Sequence, residues 1–378
     1  MSAPSFFGDL PSLARRVAGD LRTWPVQGPR LIDEIECVCS VLLAIAFAHL
    51  LEVRHVGWAA FSGYMVMRSD VWRSFKRGGL RVLGTAAGSA LAWAFAAQWL
   101  QTPLHASLAL LAVCGVSLYF MMISPRGYAW LFLGLTFSMV VIDGLAHPEE
   151  PLAVFAWTRF VEVAAGTTAS VIVSAVSTLT ARRLLLGQRG FSMDYEWWVD
   201  RLIPWHGQAF VHALQGAVAI ALIPWLWAAT GLSALTQAST TIMVVMAIPL
   251  AGLAHNRTRT KLVHRFVGCT LGALLAGAAL LVGQHSVVFL LASVAVAVTL
   301  GRHIENGKHG IDYVGTQFVL GFLTVMVPDT YESLHLATGI ERLIGVLAGI
   351  ALLEPVRLLL RLPARGASSE VRRDSAGD

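Results

Sequence analysis

Apolar runs of about 18 to 25 residues, each long enough to cross a bilayer, recur along this 378-residue chain. The pattern predicts about twelve spanning helices, six on either side of a polar, basic linker at 180–207. The first six cover 34–53, 56–71, 79–99, 104–123, 128–146 and 152–179. The second six cover 208–229, 232–253, 262–282, 286–301, 311–328 and 335–360. The second run is the weakest, because Ser62 and Gly63 interrupt a short apolar part. Residues 1–33 and 361–378 read as polar terminal segments. The predicted fold is an all-α membrane protein with two six-helix modules, 34–179 and 208–360.

Within the apolar runs one spacing recurs four times: Arg81-Gly84-Gly88, Arg159-Glu162-Gly166, Arg265-Gly268-Gly272 and Arg342-Gly345-Gly349. Arg81 and Arg265 are 184 residues apart, and Arg159 and Arg342 are 183 apart. One unit is therefore expected to be written twice. Inside each unit the two Arg helices run in opposite directions. Gly57-Trp58-Ala59 recurs as Gly127-Tyr128-Ala129, and Thr236-Gln237 as Thr316-Gln317, which suggests a nested inverted repeat.

Only 13% of residues are charged and 56% are apolar, far from the roughly 25% charge of soluble domains. Charge position then sets the expected topology. Arg68, Arg73, Lys76, Arg77, Arg126, Arg182, Arg183, Arg189, Arg201, Arg257, Arg259, Lys261, Arg302 and Lys308, with the Arg-rich tail, fall in one set of loops. The alternate loops hold Arg54 beside Glu52, Glu149, Glu150, Asp329 and Glu332. The positive-inside rule then puts both termini in the cytoplasm. Arg15, Arg16, Arg22 and Arg30 precede the first run and no small-residue cleavage site follows it, so the run is expected to stay as a spanning helix.

The candidate chemistry lies in these spans. Gly84, Gly88, Gly268 and Gly272 place small faces on helices, where backbones can approach closely. Arg81 and Arg265 at the cytoplasmic helix ends can snorkel to headgroups, so packing and anchoring account for both motifs. Arg159 and Arg342 lie about seven residues or more into their spans, where a charge costs about 2.5–3.5 kcal/mol. Each needs a partner; Glu162, Asp143, Glu52 and Glu341 are candidates, with His49 nearby. Two readings stand: a buried ion pair that locks helices, or a fixed cation for an anionic substrate with Glu52, Asp143, Glu162 or His49 carrying coupling protons. Trp58, Gln237 and Gln317 are candidates to line a substrate path or to bond helix to helix. His255 and His264 sit in or beside one basic loop, His303 and His309 in another, and all four read as solvated.

Other classes find no support. Cys37, Cys39, Cys114 and Cys269 have neither zinc nor redox spacing, and no metal site, cofactor or nucleic-acid partner is expected. No P-loop, GxSxG or HExxH motif occurs, so an enzyme or an ATP-driven pump is not expected.

At these residues the chain resembles the fusaric acid resistance, or aromatic acid exporter, family of bacterial inner-membrane proteins. The resemblance rests on Trp58, Arg81-Val-Leu-Gly84-Thr85-Ala-Ala-Gly88, Arg159…Glu162…Gly166, Ser239-Thr240-Thr241 and Arg265-Phe-Val-Gly268-Cys-Thr-Leu-Gly272, over about 40–360. It implies export of aromatic carboxylates or related organic anions, usually beside a periplasmic adaptor protein. Cys269 stands where the first copy has Thr85, and the linker is too short for the large cytoplasmic domain of many relatives. The alternatives are an organic-anion channel, which needs no proton carrier, and a scaffold in envelope assembly, in which the Arg pairs are structural.

Overall fold

The structure is a computed structural model. It describes residues 10–24, 26–68, 70–99, 102–187, 205–232, 234–250, 253, 257–283, 286–327 and 336–360, without the side chains of 96–99 and 336–338. Most of the expected linker, the tail, His255, and the acidic Asp329 and Glu332 lie outside the described residues.

The described residues form helices joined by short turns. They are α1 Leu10–Leu21, α2 Pro29–Leu50, α3 Val56–Val66, α4 Val71–Trp99, α5 Pro103–Ile123, α6 Gly127–Ala146, α7 Leu152–Leu179 and α8 Ala181–Leu186. After the linker come α9 Gly207–Ala221, α10 Ile223–Thr230, α11 Leu235–Met246, α12 Arg257–Gly283, α13 Val287–Glu305, α14 Asp312–Met326 and α15 Leu336–Leu359. By length and composition, six helical stretches are apolar enough to cross a membrane: α5, α6, α7 with α8, α9 with α10, α12 and α13. Helices α2, α4 and α15 have the length but bury charge, at Asp33, Arg81 and Arg342 among others. The outer surface is apolar, with Leu83, Trp93, Leu274, Leu281 and Val288 exposed, as a lipid-facing surface requires.

The glycine spacing is explained by close helix approach. A Cβ on Gly84 or Gly88 would fall on the carbonyl oxygens of Ala129 and Leu133, so α4 leans on the backbone of α6. Gly166 of α7 lies in the same way on Ala59 of α3. Gly268 and Gly272 of α12 lie on Val314 and Phe318 of α14, and Gly345 and Gly349 of α15 lie on Ala234 and Ala238 of α11. Four arginine-bearing helices thus each rest on the backbone of a neighbour.

Two helices are shorter than the apolar pattern suggests. The expected spans 56–71 and 232–253 contain α3 of 11 residues and α11 of 12, about 17 and 18 Å long against a hydrocarbon core of about 30 Å. Their C-terminal carbonyls therefore end inside the bundle and need donors. For α3, Arg77 Nε donates to the Met65 carbonyl at 2.9 Å and Arg68 Nη1 to Met67 at 2.7 Å. For α11, Lys261 Nζ donates to the Ala247 carbonyl at 2.6 Å, and the buried His212 ring lies 3.0 Å from that of Met246. A cation at a helix C-terminus also meets the negative end of the helix dipole. Arg77 and Lys261 are 184 residues apart, four before Arg81 and Arg265. The expected seventh span breaks at Leu222, because Pro224 has no N–H to continue the helix into α10.

The first spanning helix begins at Pro29, ahead of the expected 34, and α1 precedes it. Leu13 of α1 packs among Val263, Ile304, Ile311 and Val314. Helix α5 packs along α9, α6 along α11 and α2 along α13, and these contacts join the N-terminal and C-terminal halves of the chain.

The glycine contacts predict opposite signs for two similar changes. Gly272→Ala is expected to destabilise by about 1–3 kcal/mol, through forced separation of α12 and α14. Gly79→Ala, with nothing near its Cβ, is expected to be neutral or stabilising by up to about 1 kcal/mol. Thermal unfolding in detergent checks both, and equal effects would remove the close-approach explanation.

Candidate functional site

Arg159, two turns into α7, lies inside the protein, where it is 8% exposed. Its Nη1 donates to Glu162 Oε2 at 3.1 Å, one helical turn on. Its Nη2 donates to Asp143 Oδ2 at 3.3 Å, near the end of α6. The other Glu162 oxygen accepts from the His55 backbone N–H at 3.1 Å and lies 2.9 Å from His55 Nδ1. The other Asp143 oxygen accepts from the Thr236 hydroxyl at 2.6 Å, at the start of α11. One network therefore ties α6 and α7, the turn before α3, and α11 of the other half of the chain. Glu162 is fully buried, so the pair and its hydrogen bonds must balance a large desolvation penalty.

Trp58 of α3 lies beneath this network, with the Arg159 guanidinium 4.8 Å from its ring centroid. Phe61 meets Trp58 edge-on at 5.2 Å, and Arg342 lies 5.4 Å from the Phe61 ring. Arg159, Trp58, Phe61 and Arg342 thus form a cation–aromatic–aromatic–cation row along one helix. Both charges gain from the electron-rich ring faces.

Arg342 differs from Arg159 in its partners. It is 4% exposed and its Nη1 donates to the Thr324 hydroxyl at 2.9 Å. Glu341, a sequence candidate for its counter-charge, is exposed instead. Arg265, 1% exposed, donates from Nε to Thr241 at 3.0 Å and from Nη1 to Gln317 Oε1 at 2.8 Å. Cys269 Sγ lies 3.6 Å from the same Gln317 oxygen. In the first half, Arg81 donates to the Tyr128 hydroxyl at 3.3 Å and lies 4.1 Å over Phe132. Among the described residues no carboxylate pairs with Arg81, Arg265 or Arg342. Arg81 and Arg265 are therefore held inside the protein, not snorkelled to headgroups as their place near helix starts suggested.

The structure brings Arg159, Glu162, Asp143, Trp58 and Arg342 into one region, and Gln317 onto Arg265. Gln237 lies on α11 beside Gly345, its side-chain oxygen buried without a partner. It does not bring in Glu52 or His49, both of which are exposed. His55 and Phe61 were missed. His55 sits six residues from His49 in a stretch read as a loop, and Phe61 looks like any apolar span residue. Nearby, Arg54 and Glu150 pair at the surface, and that hydrogen bond holds the Glu150 carboxyl below the usual range.

A second charged cluster lies where α2 begins. Arg302 holds Asp33 through Nε and Nη2 at 2.7 and 3.0 Å, and the Tyr64 hydroxyl donates to Glu305 at 2.6 Å. His303, fully buried, meets Glu34 at 3.0 Å and the Asp20 carbonyl at 2.9 Å. The expectation of solvated histidines fails for His303 and His264, which are buried; His309 is half exposed and pairs with Asp20. Arg182, expected in the linker, is buried against Glu36 at 2.7 Å. These groups join α1, α2, α3, α8 and α13.

An all-helical bundle with an apolar outer surface and buried guanidinium groups defines a multi-pass membrane protein. A family model described as fusaric acid resistance protein-like matches residues 43–173 and 228–353, and the chain belongs to that family of membrane transport and efflux proteins. No curated protein and no solved structure matches the chain.

The Arg159 network predicts non-additive stability effects. Arg159→Gln leaves Glu162 buried with its cation removed, and is expected to lower stability by about 3 kcal/mol or more. Adding Glu162→Gln is expected to recover part of that loss, with a coupling of about 0.5–3 kcal/mol. Strict additivity in thermal unfolding would show that the two side chains do not act as a pair.

Proposed function

We infer that this protein is a proton-coupled exporter of aromatic carboxylates or related organic anions in the bacterial inner membrane. The reading takes about twelve passes as two tandem six-helix modules, with both termini in the cytoplasm and the pathway between the halves. Matching pairs support it: Arg77 with Lys261, Arg81 with Arg265, Tyr128 with Tyr313, and the glycine contacts of α4 on α6 with those of α12 on α14. The family carries the transport class.

The observation that carries the anion is the excess of buried cations over carboxylates within the spans. Arg342 serves as a fixed positive charge for the substrate, and Trp58, Gln237 and Gln317 as its lining. Glu162 and Asp143, already bonded to Arg159, are the proton carriers: protonation of either weakens its hold on the guanidinium. His55 is the more exposed member of that network and favours a carrier over a simple channel. A periplasmic adaptor is the proposed partner, with the surrounding bilayer.

Cells producing the protein are expected to accumulate less of at least one aromatic acid from a broad panel than cells without it. Arg342→Gln is expected to raise accumulation towards the empty-cell level while the protein remains folded in the membrane. A protonophore is expected to do the same to the wild type. Equal accumulation with and without the protein across the panel would end the export reading. Current carried without a pH difference would favour a channel.

A further inference from the structure

The two halves treat their arginines differently, and the difference identifies one seat for the substrate. Where Glu162 follows Arg159 by three residues, Gly345 follows Arg342. A side chain cannot be restored there, because a Cβ on Gly345 would collide with the Ala234 carbonyl and the Gln237 side chain. The second half has closed α11 onto α15 at the place where the first half holds its counter-charge. Arg342 and Arg265 both reach α14, Arg342 at Thr324 and Arg265 at Gln317 two turns before it. The polar contacts of Arg342 and those of Arg265 are to Thr324, Thr241 and Gln317, all neutral.

Two guanidinium groups in each other's field, both almost fully buried, repel one another and have lost their water. Their donors are also not all used. Arg265 Nη2 and Arg342 Nε form no well-shaped hydrogen bond, and the buried Tyr313 hydroxyl, which lies against Arg265, donates to nothing. Buried donors in native proteins are nearly always satisfied, so three unused ones around two uncompensated charges call for a missing acceptor. The acceptor must be anionic, compact and able to take more than one hydrogen bond, as a carboxylate does. The Phe61 ring beside Arg342, edge-on to Trp58, supplies an apolar wall for the remainder of the molecule.

We propose that Arg265 and Arg342, with the Tyr313 hydroxyl, form the seat for a single aryl carboxylate, its ring lying towards Phe61 and Trp58. Arg159 is not a second seat, because Glu162 and Asp143 already occupy its donors. The chain takes one anion at a time, on its second half. This assignment rests on the export reading for its substrate class. It moves Arg265 from a packing role to substrate recognition.

Benzoate is the probe, added to the purified full-length protein in detergent and followed by thermal shift and by saturation-transfer NMR. Wild type is expected to bind it. Gln317→Glu places a carboxylate against Arg265 Nη1 and keeps both arginines; it is expected to raise the unfolding temperature of the free protein and to weaken benzoate binding about tenfold or more. Arg342→Gln is expected to weaken binding similarly. Gly79→Ala, in the first half and with nothing near its Cβ, is expected to bind as wild type does. If Arg342→Gln does not fold, Gln317→Glu carries the test alone. Unchanged binding in Gln317→Glu overturns the seat. Protection by chloride equal to that by benzoate overturns the aryl carboxylate as its occupant. Absence of benzoate binding by wild type also overturns the seat, while the export reading is decided separately by the accumulation assay.

Discussion

Inside a bilayer no water is present to satisfy a charge or a backbone group, so the chain must supply every partner itself. This constraint organises the molecule. Helices α3 and α11 stop part-way through the bundle, and their last carbonyls are met by Arg68, Arg77, Lys261 and His212. The cations that end these helices sit one turn before Arg81 and Arg265. Each long helix therefore presents two positive groups on one face, the first to a backbone and the second to the interior. The glycines that follow bring the helix axes close enough for those groups to reach.

Two of the contacts between the halves meet the same constraint by different means. Along α5 and α9 the surfaces are small and apolar: a Cβ on Gly216 would meet Leu118, and one on Gly115 would meet Ala217. Close van der Waals packing and the Ser107 hydroxyl bond to the Ala221 carbonyl at 2.7 Å hold this side. Along α2 and α13 the contact is ionic, built on Arg302 with Asp33 and His303 with Glu34. Breaking a packed apolar contact re-forms it against lipid at little electrostatic expense. Separating buried ions does not, and the ionic side is the stiffer of the two against opening.

Charge at the site obeys the same rule with one exception. Around Arg159, two carboxylates, a histidine and a threonine complete the hydrogen bonds, and the network spans both halves. Around Arg265 and Arg342 the chain provides only neutral acceptors and leaves donors unused. A protein stable in spite of such a group gains when an anion arrives. In the proposed export, the substrate contributes the counter-charge that Glu162 contributes in the first half. In that proposal, protonation of Asp143 would loosen the tie from α7 to α11, and protonation of Glu162 the tie from α7 to the turn before α3.

Much of the architecture was legible in the sequence, because lipid exposure forces long apolar runs and close packing forces glycine at intervals of four. The arginine–glycine spacing located the four helices that lean on a neighbour's backbone, and the depth of Arg159 demanded partners among the few acidic residues nearby. Asp143 and Glu162 could be named for that reason. His55 could not, since nothing in a loop histidine distinguishes it from the exposed His49; only the turn before α3 carries it to Glu162. The buried state of His303 was equally hidden, because a basic loop and a buried ion network have the same composition. Sequence by itself determined which apolar runs cross the interior, that Arg159 needs a partner there, and how many counter-charges were on offer. The tertiary structure decided which cation receives them, because pairing depends on which helices meet, and Gly345 draws α11 against α15 where a carboxylate would otherwise stand.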